Sequence, residues 1–133
     1  MSKSYILCVD DEKIVLDSIK KQLKNHYQSK FYYETAENAT EALELIDEIM
    51  EDGSTEMIII VSDWLMPGIK GDDFLIQVHS KYPHIIKIML SGQVDEEAIE
   101  RAKKFANLHK CIYKPWTEEE LITTIDTSIE TNK

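Results

Sequence analysis

The chain has 133 residues, 43% of them hydrophobic and 30% charged, with a formal net charge of -10. That is the size and make-up of one soluble globular domain with its own core. Its acidity disfavours nucleic acid or an anionic membrane surface as a direct partner, because both repel it. No apolar run approaches the roughly 18 residues of a membrane span. The start, Met1-Ser2-Lys3-Ser4, leads straight into a strand and resembles no signal peptide. Cys8 and Cys111 both sit in apolar runs and read as buried free thiols, not as a disulfide or a metal pair. The chain is therefore read as cytoplasmic.

Tyr5-Ile6-Leu7-Cys8-Val9 is a short apolar run that ends in Asp10-Asp11-Glu12, a buried strand with three acids at its carboxyl end. A helical pattern follows, with Val15, Ile19 and Leu23 on one face and Lys13, Lys20, Lys21 and Lys24 toward water. Phe31-Tyr32-Tyr33-Glu34-Thr35 reads as a second strand. Asn38 is a helix N-cap with Glu41 as its capping partner, and the helix behind them buries Ala42, Leu43, Ile46 and Ile49. After the polar breaker at 51–55 comes Ile58-Ile59-Ile60-Val61. Four β-branched residues in a row predict a strand buried on both faces. It runs into Ser62-Asp63-Trp64-Leu65-Met66-Pro67-Gly68, a carboxylate followed by a turn that no strand continues through.

Lys70-Gly71-Asp72-Asp73 opens a helix carrying Phe74, Leu75 and Val78, with acids in its first turn as the helix dipole prefers, and Tyr82-Pro83 stops it. Ile85-Ile86-Lys87-Ile88-Met89-Leu90 is a fourth strand, ending in Ser91-Gly92. The stretch 95–107 is helical in pattern, with Ala98, Ile99, Ala102 and Phe105 inward. Cys111-Ile112-Tyr113 is a fifth strand closed by Lys114-Pro115-Trp116. Thr117-Glu118-Glu119-Glu120 caps a last helix bearing Leu121, Ile122, Ile125 and Ile129, and the tail 131–133 is expected to fray. Five βα units in alternation predict a parallel sheet with helices on both faces. Sheets of this class bind ligands outside the carboxyl ends of their strands.

Those ends carry Asp10, Asp11 and Glu12, then Asp63, Ser91 and Lys114. Carboxylates gathered at one rim repel one another unless a cation joins them, and oxygen ligands of this kind suit Mg²⁺. There is no Cys/His cluster of zinc type. The cation can neutralise an incoming phosphoryl group while Lys114 acts as a point charge for its oxygens. A carboxylate so relieved can act as nucleophile and give an aspartyl-phosphate, and Ser91 can donate a hydrogen bond to the product. The four histidines, His26, His79, His84 and His109, have no ligand spacing and read as surface residues. Trp64 and Trp116 border the rim as packing residues or partner contacts.

Val9-Asp10-Asp11-Glu12, Ser62-Asp63-Trp64-Leu65-Met66-Pro67-Gly68, Leu90-Ser91-Gly92 and Tyr113-Lys114-Pro115-Trp116, in this order, resemble the receiver domain of two-component response regulators. The likeness covers essentially the whole chain, so residues 1–133 read as a single receiver domain with a core at 5–130. The resemblance implies a flavodoxin-like, doubly wound parallel sheet of (βα)5 type with strand order 2-1-3-4-5. It implies Asp63 as phosphoacceptor, with Mg²⁺ held directly by Asp11, Asp63 and the Leu65 backbone carbonyl and mainly through water by Asp10. Ser91 and Lys114 would sense and pair the phosphoryl group, and the Lys114-Pro115 bond would be cis. It further implies a histidine kinase or phosphotransfer protein as donor, docking on the first helix, and an output face formed by the fourth helix, fifth strand and fifth helix. A phosphorylation-dependent homodimer is compatible with that scheme. The chain would catalyse only its own phosphorylation and dephosphorylation.

Three departures from the family pattern carry information. The position three before Lys114, usually an aromatic that swings on activation, is Cys111, and Tyr113 is expected to point to the other face. The sequence therefore predicts a smaller or different rearrangement. Leu65 cannot hydrogen-bond a hydrolytic water, though Gln93 can, which predicts slow self-dephosphorylation. Ser91 stands where threonine is commoner and keeps the donor. Two other readings compete. A phosphatase of the haloacid dehalogenase type needs a second acid at the position of Leu65 and ranks far lower. An unphosphorylated receiver-like interaction module is the main alternative. Whether the chain stands alone or was cut from a longer regulator is left open by the sequence.

Overall fold

The computed structural model describes residues 3–92 and 95–131. The readings made of Gln93, of Met1 and Ser2 and of the end at Asn132-Lys133 lie outside them. In chain order the elements are β1 (Lys3–Val9), α1 (Lys13–Tyr27), β2 (Tyr32–Ala36), α2 (Ala39–Glu51), β3 (Thr55–Asp63), α3 (Gly71–Lys81), β4 (Ile86–Ser91), α4 (Glu96–Ala106), β5 (Lys110–Tyr113) and α5 (Glu118–Thr131). A turn of 3-10 helix at Gln28–Lys30 follows α1, a feature the sequence pattern did not announce.

All strand pairs are parallel, in the order β2-β1-β3-β4-β5. Residues of opposite parity feed two cores. Leu7, Val9, Ile58, Ile60 and Met89 pack under α2, α3 and α4. Ile6, Cys8, Ile59, Val61, Ile88, Leu90 and Ile112 pack under α1 and α5. Burial on both faces is what a continuous β-branched run requires. Helix starts are fixed locally: Asn38 Oδ1 accepts from the Glu41 N–H at 2.8 Å, Asp95 Oδ1 from Ala98 N–H at 3.0 Å and Thr117 Oγ1 from Glu120 N–H at 3.0 Å. Asn107 ends α4 in the left-handed region, with φ 53.

Three placements differ from the sequence reading. Phe105 is 51% exposed, because the buried stripe of α4 is Ala98, Ile99, Ala102 and Ala106, which leaves residue 105 on its edge beside Lys104. Tyr113 does not point to the opposite face from Cys111. The two are two residues apart and share a side of β5, and it is Ile112 between them that enters the α1–α5 core. His79 and His109 are only partly exposed, because both pack beside Lys87. Lys87 itself is fully buried on β4.

Candidate functional site

The strand register assembles the site. Val9 is opposite Ser62, Asp63 is opposite Leu90, and Ser91 is opposite Tyr113. The residues at or just past these positions, Asp10, Asp63, Ser91 and Lys114, therefore share one rim. β1 lies between β2 and β3, so the winding direction reverses at the β1–β3 edge, where open sheets place their ligand crevice. An open cleft of about 470 Å³ is found there, lined by Asp11, Glu12, Asp63, Leu65, Gly92 and Lys114 among others. A depression of about 270 Å³ at the other end of the strands, lined by Met50, Met57, Tyr82 and Ile85, lies away from these groups.

Asp10 is fully buried, and its Oδ1 accepts from the Glu12 N–H at 2.9 Å at the head of α1. Asp10, Asp11 and Asp63 each offer a carboxylate oxygen, all within 4.8 Å of one another. Lys114 Nζ lies 3.1 Å from Asp63 Oδ1 and 3.4 Å from Asp10 Oδ2. Burial, and then the charge of Asp10, raise the pKa of Asp63, against the pull of Lys114. Burial alone would lower the pKa of Lys114, but the hydrogen bond and charge of Asp63, with Asp10, outweigh it and raise the pKa above its ordinary value. One ammonium thus faces three acids, Asp10 and Asp63 buried and Asp11 exposed. An added cation with oxygen ligands fits that imbalance, and a hard divalent ion suits it best.

Ser91 is buried at the end of β4, and its backbone carbonyl accepts from Lys114 N–H at 2.8 Å. The Lys114-Pro115 bond is cis, as the resemblance implies. Beyond Asp63 the chain turns so that Trp64 and Met66 enter the core while Leu65 stays 52% exposed at the cleft. Trp64 packs as a rim residue, its indole N–H donating to Asp72 Oδ1 at 3.1 Å. Trp116 packs likewise, donating to Gln22 Oε1 at 2.9 Å.

The structure thus brings Asp10, Asp11, Asp63 and Lys114 together and sets Ser91 and Leu65 beside them. Glu12 lies at the mouth of the cleft as the first residue before α1. Two features escape the sequence reading. Asp72, taken as a dipole acid, is only 5% exposed and bonded to Trp64 and Arg101. A β-branched strand with no solvent face could have flagged the other, the buried Lys87.

The response regulator receiver domain matches residues 6–126. The chain belongs to that family. The receiver domain is 31% identical over 128 residues to the hydrogenase transcriptional regulatory protein HoxA of Cupriavidus necator, covering 96% of this chain and 24% of the relative. It is also 31% identical over 128 residues to the regulatory protein VanR of Enterococcus faecium, covering 96% and 51%. It therefore spans a quarter to a half of the length of these regulators. Among solved structures it is similar to a CheY-like receiver domain protein of Methanospirillum hungatei, with a TM-score of 0.84 at 26% identity, covering 98% of this chain and 97% of that one. The receiver domain is a signalling module of two-component systems, and its strand order is the flavodoxin-like 2-1-3-4-5. No helix among the described residues is long and apolar enough to cross a membrane.

Proposed function

We propose that Asp63 is the phosphoacceptor of this receiver and that residues 1–133 work as a single switch domain. The observation that carries the reading is the Asp10, Asp11 and Asp63 cluster within 4.8 Å, with Lys114 Nζ 3.1 Å from Asp63. The donor is a phosphohistidine on a kinase or phosphotransfer protein. A carboxylate oxygen of Asp63 attacks phosphorus, the new P–O bond forms, and the P–N bond to the donor imidazole breaks. Lys114, beside Asp63, would pair with the transferred oxygens, and Ser91, at the next strand end, would donate its hydroxyl to the product. The acid cluster fits Mg²⁺: Asp11, Asp63 and the Leu65 carbonyl would hold it, with Asp10 contributing mainly through water, and when bound it would supply charge neutralisation for the phosphoryl group.

Three finer features follow from the same reading. The exposed Leu65 offers no polar side chain to a hydrolytic water, so the phosphoryl group is long-lived. Cys111 cannot perform an aromatic swing, so the α4–β5–α5 output face rearranges less, or differently, on activation. The domain acts in the cytoplasm without direct contact to nucleic acid or membrane, in keeping with its net charge of -10, and phosphorylation is the event that drives any homodimer.

The test is intact mass after incubation with acetyl phosphate and Mg²⁺. A gain of about 80 Da that needs Mg²⁺ and disappears in Asp63→Asn is the expected result. No gain in a wild type that binds Mg²⁺ would overturn the reading in favour of an unphosphorylated interaction module. A gain that persists in the variant would mean another nucleophile.

A further inference from the structure

Trp64 directly follows the acceptor, and the structure holds it from every side. Its backbone N–H donates to Leu90 O at 2.9 Å, and its carbonyl accepts from Gly71 N–H at 2.7 Å. Its indole N–H donates to Asp72 Oδ1 at 3.1 Å. The other oxygen of Asp72, Oδ2, accepts from Arg101 Nη1 at 2.7 Å, and the same Nη1 reaches Asp73 Oδ1 at 3.0 Å. A first-turn acid serving only the helix dipole sits in water. Asp72 is buried, and its charge is matched by an arginine from a different helix. Gly71 lies so close to the acceptor backbone that a Cβ there would come 2.5 Å from Asp63 O and 2.7 Å from Trp64 Cα. The first turn of α3 and the 63–64 peptide are therefore one packed unit.

We infer that Asp72, braced by Arg101, is a positioning residue for the acceptor loop. It fixes the Trp64 indole, and through Trp64 it fixes the backbone that presents the Asp63 carboxylate and the Leu65 carbonyl to the metal. The inference rests on the reading of those two groups as metal ligands. Groups of this kind, one layer behind the ligands, set how well a site is preorganised for its ion. Arg101 matters because a buried carboxylate that loses its partner charge moves toward water or takes up a proton, and either change frees the indole.

The experiment uses the full chain with Trp116→Phe, which leaves Trp64 as the sole tryptophan. Asp72→Ala, Asp72→Asn and Arg101→Gln are added in turn. Acrylamide quenching of Trp64 emission in EDTA reads the loop without metal, and calorimetric titration with MgCl2 reads affinity. Asp72→Ala and Arg101→Gln are expected to raise quenching and to weaken Mg²⁺ about ten-fold. Asp72→Asn keeps an acceptor for the indole but loses the ion pair, and should fall between. Mg²⁺ affinity unchanged in variants that remain folded would overturn the inference and leave Asp72 a packing residue. Should Asp72→Ala fail to fold, Arg101→Gln decides, because that side chain is 45% exposed. A parent protein that binds Mg²⁺ but takes no phosphoryl group would sink only the acceptor reading, and the variant affinities would still decide this one. A parent that binds no Mg²⁺ would overturn both.

Discussion

Lys87 lies at 0% exposure in the middle of a parallel sheet, and its replacement by methionine gives a direct measure of what that burial does. Burial pushes the ammonium down from 10.5 to about 8. At 1.36 kcal/mol per pH unit, keeping it charged in the fold at pH 7 costs about 3 kcal/mol. Nζ donates to Ile85 O at 2.8 Å and sits 3.1 Å from His79 Nδ1, and Lys87→Met leaves both groups without that partner, at about 1 kcal/mol each. Methionine matches the unbranched stem, so packing changes little. The variant should be about 1–2 kcal/mol more stable than wild type at pH 7. Between about 8 and 10.5 the unfolded chain holds a proton on Lys87 that the fold does not, so wild-type stability rises with pH relative to the variant. The advantage should vanish, and then reverse, by about pH 10. Urea denaturation of both proteins at pH 7, 8.5 and 10 measures it. A difference independent of pH would refute the argument, since it would mean that the fold does not shift the proton on Lys87. The histidines give a second reading. Burial and then the Lys87 charge lower the pKa of both His79 and His109, so the variant's two imidazoles should titrate higher by NMR.

Two further perturbations test the site. Gly71→Ala pushes a Cβ to 2.5 Å from Asp63 O, a backbone atom that cannot step aside, and should lower stability by about 2 kcal/mol or more, read as a lower urea midpoint; an unchanged midpoint would show that α3 can shift freely against β3. Asp63→Asn in EDTA should be more stable than wild type at pH 7. Burial and the charge of Asp10 raise the Asp63 pKa, so its ionised form opposes folding at pH 7, and the advantage should fade as pH falls through the raised value and be gone below the ordinary 3.8. Saturating Mg²⁺ should stabilise wild type far more than the variant, by about 2.7 kcal/mol at a hundred times its Kd; equal metal-induced shifts in the two melting curves would exclude Asp63 as a ligand.

The clustering of Asp10, Asp63 and Lys114 was legible because parallel strands end together. Buried runs that stop at an acid (Asp10 and Asp63), a hydroxyl (Ser91) and an ammonium (Lys114) place those groups on one rim before any contact is known, and the observed register of Val9, Asp63 and Ser91 sets these strand ends side by side. Helix starts were legible for a similarly local reason, since Asn38 and Thr117 act on N–H groups three residues away. What escaped depends on parity or on distance. Cys111 and Tyr113 share a face because they are two apart, and the sequence reading set them on different ones. Phe105 is one position off the stripe that α4 buries. Lys87 looked like one charge among apolar neighbours, yet a strand covered on both faces has no water for it to reach. The pairing of Asp72 with Arg101 spans 29 residues and two helices, and no local pattern encodes it.

Two buried charge systems in this domain stand in different relations to stability. The Lys87 ammonium is desolvated, bonded to the Ile85 carbonyl and the His79 imidazole and facing no carboxylate among the described residues that lowers the cost, and removing its charge should help the fold. The carboxylates of Asp10 and Asp63 are desolvated too, but they face Lys114 and an exposed third acid, Asp11, at an open cleft. Their mutual repulsion is relieved by anything positive that enters. An unbound site that is electrostatically uncomfortable binds a cation more tightly than a comfortable one would, because binding recovers the repulsion. By the same logic, an aspartyl-phosphate at Asp63, as proposed, would disturb its surroundings. On the proposed acceptor role, phosphorylation would replace one negative charge by about two and leave Lys114 and any cation in the acid cluster to hold them. The strand-end groups that can respond are Ser91 and the backbone at Lys114, already joined by the hydrogen bond from Lys114 N–H to Ser91 O. A change of charge at Asp63 would therefore reach β4 and β5 through Lys114, whatever residue occupies position 111.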